Sequence, residues 1–201
     1  MADIKDLPTL LTAIASGDRR SVTASLDVVP SLATARLARD DEFFIDQCHA
    51  QLYEGDTALH AAAFAYDVEL ARDLLARGAD INARNRRGAE PLHAAAIGVP
   101  GSPNWNPTAQ RAVIELLIES GADPNAAAAG GITPLHRAIR NRCSAAVEQL
   151  LHAGADPSLP NNHGSTPTDL AHLTTGRGGS GSTEAKTEQQ LIIALLDKAT
   201  S

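Results

Sequence analysis

A 33-residue step constrains this chain more than any other feature of it. The stretch GDTALHAAA begins at Gly55, GAEPLHAAA at Gly88, GITPLHRAI at Gly131 and GSTPTDLA at Gly164. Gly55 to Gly88 and Gly131 to Gly164 are each one step, and Gly88 to Gly131 is the same step lengthened by ten residues. The complete units also close alike, with RGADIN (Arg77 to Asn82), SGADPN (Ser120 to Asn125) and AGADPS (Ala153 to Ser158). Opening, period and ending recur together, which predicts stacked copies of one supersecondary unit.

Local chemistry makes that unit a pair of helices. Threonine or its substitute takes the N-cap, and proline follows at the first helical position, where its missing N–H costs nothing. A run of alanines then builds a slim first helix. The second helix, written VELARDLLARG, RAVIELLIESG or AAVEQLLHAG, repeats leucine at helical spacing. Gly78, Gly121 and Gly154 stand where a helix ends in a left-handed residue. A single pair cannot bury its apolar side, so neighbours must stack. Composition agrees: 43% of residues are hydrophobic but only 3% aromatic, a balance that suits close-packed helices better than strands.

The TPLH-type opening, the period and the closing GAD resemble the ankyrin repeat over residues 55–201. The resemblance extends more weakly over 7–33, where LPTLLTAIASGDRRSVTASL keeps the apolar spacing without the TPLH. It implies an all-α solenoid of about five helix-turn-helix repeats with β-hairpin or loop fingers. One domain over 1–201 is expected: a degenerate capping repeat with an extended finger at 7–54, a repeat at 55–87, one with a helix–helix insertion at 88–130, one at 131–163, and a C-terminal capping repeat at 164–201. It further implies that His60, His93 and His136 hydrogen-bond backbone groups and tie repeats together. A concave surface of fingers and first helices would then bind another protein without doing chemistry on it.

The residues themselves argue against catalysis and metals. Ligands must converge to about 2 Å from a metal, whereas equivalent residues on stacked helices are about 8–10 Å apart. The chain has no C-x-x-C, H-E-x-x-H or G-x-S-x-G. No cofactor and no enzymatic activity are therefore expected. A net charge of −7 argues against a dedicated nucleic-acid binder, and no apolar run approaches a membrane span. The N-terminus makes a poor signal peptide, and the two cysteines, Cys48 and Cys143, lie far apart. A cytoplasmic protein is the expectation.

Specificity on a repetitive scaffold belongs where the repeat is broken. Residues 34–53 carry Phe43, Phe44 and Tyr53, which either project as interface anchors or fold back to seal the end of the stack. The ten-residue insertion falls in GVPGSPNWNPTAQ, 98–110, where Trp105 either grips a partner or fastens the loop to its own helices. The third break is TTGRGGSGSTEAK, 174–186. It satisfies G-x-G-x-x-G but follows a helix rather than a strand, and Ser182 stands where a Walker loop needs lysine, so both nucleotide motifs fail their context. What survives is an alternative function, small-anion or nucleotide sensing at a helix N-terminus by Arg177, Gly178, Gly179, Ser180 and Ser182.

The fourth break is a run of arginines. Arg84, Arg86 and Arg87 lie on the finger between the second and third repeats. Arg137 and Arg140 replace Ala61 and Phe64, or Ala94 and Ile97, of the preceding units, with Arg142 in the turn that follows. The expected partner-binding residues are these five finger and groove arginines together with Phe64, Ile97, Asn141, Asn162 and His163. A patch of this sign in an acidic chain predicts a partner with an acidic or mixed surface.

Overall fold

The computed structural model describes residues 6–45, 50–102, 105–173 and 183–199. Cys48 and the glycine-rich segment from Thr174 to Ser182 lie outside them. Within them the chain forms five antiparallel helix pairs. These are α1 (Leu7–Ala15) with α2 (Arg19–Val28), α3 (Ala58–Phe64) with α4 (Val68–Ala76), and α5 (Pro91–Ala95) with α6 (Pro107–Glu119). They continue as α7 (Pro134–Arg140) with α8 (Ser144–His152) and α9 (Pro167–His172) with α10 (Thr183–Ala199). First helices stack on first helices, α1 on α3, α3 on α5 and α7 on α9, while α6 packs between α4 and α8, and α8 against α10. The result is a two-layered solenoid whose core is one continuous band of leucine, isoleucine, valine and alanine.

The helix starts follow from the repeat motif. Thr57 Oγ1 accepts the His60 N–H, and His60 Nδ1 accepts the Thr57 N–H at 3.2 Å in return. That fixes the tautomer: with Nδ1 accepting, Nε2 carries the proton and donates to the Ala89 carbonyl at 3.1 Å in the next repeat. His93 reaches the Ile132 carbonyl at 3.0 Å and His136 the Ser165 carbonyl at 3.1 Å in the same way. The three histidines are inter-repeat ties, and all are buried. Among the described residues no group of histidine, cysteine and carboxylate side chains could hold a metal ion.

The third repeat places Glu90 where its neighbours have threonine and keeps the capping box, with His93 Nδ1 accepting the Glu90 N–H at 3.2 Å. The turn between paired helices also varies. Gly17 takes a left-handed φ of 74° there, while Tyr66 (56°) and Arg142 (57°) adopt it without glycine's freedom. Both side chains are buried, so packing holds a backbone that the residues alone would avoid.

Residues 34–45 and 50–53 fold back rather than project as a free arm. Strand β1 (Phe43–Ile45) pairs antiparallel with β2 (Ala50–Leu52), with Phe43 opposite Leu52. Ile45 and Leu52 enter the core, and Leu37 exchanges backbone hydrogen bonds with Asp56 and Gly55. Phe43 is half-buried and lines an open groove on α1 with Pro8, Thr9 and Thr12, leaving Phe44 exposed.

Candidate protein-binding surface

Two residue columns run along the first helices. One holds Ala61, Ala94 and Arg137, each directly after the tying histidine; the other holds Phe64, Ile97 and Arg140, one helical turn later. Ala61 and Ala94 are packed in or against the core. Phe64 and Ile97 are half-buried yet belong to no core cluster. The fourth repeat converts both columns to arginine.

The six arginines separate into different environments. Arg84 Nε donates to Glu90 Oε1 at 2.9 Å, so the residue in the cap position also holds a finger arginine. The other Glu90 oxygen is buried with no hydrogen-bond partner. Arg86 binds both oxygens of Glu42, with Nη2 to Oε2 at 2.9 Å. The same carboxylate accepts the Glu54 N–H at 2.8 Å. The Arg86 bonds, then that backbone bond, pull the Glu42 carboxyl down to about 2. Arg86 and Arg87 also face the Tyr53 ring, at 4.9 and 4.7 Å from its centroid. Tyr53 and Glu42 thus clasp the finger to the N-terminal extension.

Arg87, Arg137 and Arg140 have no ion pair among the described residues. Arg87 and Arg140 are exposed, whereas Arg137 is half-buried. Desolvation pushes the Arg137 pKa down, with Arg140 and Arg87 adding repulsion; Tyr53 and Asp56 act in the opposite sense. Asp56 is itself engaged, accepting from Asn85 Nδ2 and the Tyr53 N–H at 2.8 Å each. Arg142, by contrast, is buried in the α7–α8 turn. Asn141 spends its Nδ2 on the Arg137 carbonyl at 2.8 Å, closing α7. Asn162 and His163 are exposed at the next finger, held through their backbone N–H groups by Gly130 O and Asn161 Oδ1.

Trp105 is fastened inward. Its Nε1 donates to Gln110 Oε1 at 3.0 Å, and Gln110 Nε2 donates to Ala95 O at 2.9 Å and Ile97 O at 3.3 Å. The Tyr66 hydroxyl donates to the same Ile97 carbonyl. Gly98 sits so close that a Cβ would lie 2.8 Å from Trp105 and Tyr66 and 2.9 Å from Cys143 Sγ. Gly98 and Trp105 therefore pack onto their own repeat, with Gly98 close to Cys143 at the start of α8.

Gln189 repeats the device two units on, donating to Ala171 O at 3.0 Å and Leu173 O at 3.5 Å. The glycine-rich segment follows α9 rather than a strand, and the residues expected to bind an anion, Arg177, Gly178, Gly179, Ser180 and Ser182, lie outside the described residues. Glu42, Glu90, Gln110 and Gln189 escaped the sequence reading. Only Glu90, standing in a threonine position, announced itself.

No helix of the described residues is long and apolar enough to cross a membrane. No curated protein matches the chain. A family model described as ankyrin repeats in three copies matches residues 13–127, and a second, ankyrin repeats in many copies, matches 114–171. With these matches laid over the stacked pairs and their histidine ties, the chain belongs to the ankyrin-repeat family, whose repeats generally serve protein–protein interaction.

Proposed function

We propose that the protein is a non-catalytic binding module whose partner docks on the face formed by α3, α5, α7 and the adjoining fingers. The observation that carries this reading is the pair of columns. Phe64 and Ile97 are half-buried outside the core; Arg140 continues their line and Arg137 the adjoining one, neither with an ion pair among the described residues. A rigid stack presenting such a face loses little conformational entropy on binding. The partner surface is acidic or mixed in character, since unpaired cations at a rim steer oppositely charged partners.

A pull-down from native lysate tests it, comparing the wild type with a Phe64→Glu, Arg140→Glu variant of unchanged circular dichroism. A partner retained by the first and lost by the second is the expected result. Equal capture by both would move the interface to Phe44 or another face.

A further inference from the structure

The charge inventory of the patch says more about the partner than its net sign. The chain holds 24 acidic residues against 17 basic ones. It places carboxylates on Arg84 and Arg86 and, among the described residues, none on Arg87, Arg137 or Arg140. Arg137 is the informative case. A guanidinium stays charged at any physiological pH, so half-burying it beside two other cations, with no ion-paired carboxylate among the described residues and with Asp56 already held by Asn85 and Tyr53, raises the free energy of the unliganded protein. A carboxylate arriving from outside would relieve that cost. Within the same patch, Glu42 shows the arrangement that satisfies these groups: one planar carboxylate bridging Nε and Nη2 of a single arginine. One turn from Arg137, the neighbouring column offers Phe64 and Ile97 as apolar seats.

We propose that the partner contributes a short amphipathic acidic segment, with apolar side chains against Phe64 and Ile97 and adjacent Glu or Asp carboxylates on Arg137, Arg140 and Arg87. Arg84 and Arg86 take no part, because Glu90 and Glu42 already occupy them. This rests on the binding reading above and narrows it to a chemistry, an order along the solenoid, and three of the five arginines.

The test uses the full chain and three fluorescein-labelled eight-residue peptides. One has two leucines followed by four glutamates; one has glutamine for every glutamate; one keeps the glutamines but carries a single phosphoserine. Fluorescence anisotropy is read for the wild type and for Arg137→Met, Phe64→Ala and Arg84→Gln, each first confirmed by its melting curve. Methionine keeps the Arg137 stem and removes its charge, so that variant is expected to fold.

The glutamate peptide should bind the wild type, and Arg137→Met should weaken it about tenfold or more, the scale for removing one partner of a desolvated charge pair. Phe64→Ala should weaken it about fivefold, and Arg84→Gln by less than about twofold. Four results would each overturn the proposal: no binding of the glutamate peptide, equal binding of the glutamine peptide, binding of the phosphoserine peptide alone, or an affinity indifferent to Arg137→Met. Its failure is separable from that of the binding reading. A lysate partner lost by Phe64→Glu, Arg140→Glu but held undiminished by Arg137→Met would keep the docking face and discard the acidic segment.

Discussion

The finger arginines and the α7 arginines carry the same group, and the protein treats them oppositely. Arg84 and Arg86 are more than a third exposed and still have carboxylates, Glu90 and Glu42. Arg137 is more enclosed and has none. Desolvation alone predicts the reverse, since the cation with least water needs a counter-charge most. A patch of basic residues is therefore not a site until its internal partners have been subtracted. Here the subtraction leaves Arg87, Arg137 and Arg140.

The contrast can be broken hardest by charge reversal. Arg137→Glu should weaken an acidic partner about a hundredfold, because the new carboxylate both loses the contact and repels the ligand. Isothermal titration calorimetry reads this directly, and an affinity within threefold of wild type would erase the distinction between the two groups.

Arg84→Ala should act on the other side of the comparison. It leaves the buried Glu90 carboxylate without its one hydrogen bond and should lower stability by about 2 kcal/mol, with binding of the acidic peptide barely altered. Urea denaturation checks the first half, and anisotropy the second. Conversely, Glu90→Thr installs the cap residue found at Thr57 and Thr133, removes the buried Glu90 oxygen that lacks a hydrogen-bond partner, and should stabilise by about 1 kcal/mol. The same substitution frees Arg84, so it should tighten the glutamate peptide a few-fold, turning a silent arginine into a participating one.

The smallest effect is a pH dependence. Burial, then Arg137, depress the His93 pKa to about 3 from an ordinary value near 6.5. The folded state thus disfavours protonation relative to the unfolded chain. This contribution is complete above pH 6.5 and is lost as the pH falls towards 3. Melting temperature should fall as the pH drops below about 6.5. Arg137→Met should follow the wild type near neutrality and fall less steeply only as the pH approaches 3, where its missing cation lets folded His93 protonate more readily. Curves that stay parallel down to that range would show that Arg137 does not act on His93.

The helix pairs, their order and the histidine ties were legible because each is local and repeated. Thr57 to His60 spans three residues, and the period placed the same four-residue motif at Thr133. The form of the breaks was decided by contacts at separations that no repeat restates. Gln110 meets Ala95 only after the inserted loop has closed, and the pairing of Phe43 with Leu52 lays the extension back on the stack. Neither contact leaves a period or a motif, since each is formed by one pair of residues at one separation.

By itself, then, the sequence determined the solenoid, because hydrophobic periodicity, capping and turn glycines act within a few residues and every repeat restates them. It also determined that arginines gather at the second-to-third finger and on α7. Only the tertiary structure decided which of them are paired with a carboxylate of the chain itself. Glu42 lies 44 residues from Arg86, and Glu90 reaches Arg84 from the cap position of the next helix. Electrostatic pairing depends on distance in space and on water removed by packing, and a linear order of residues records neither.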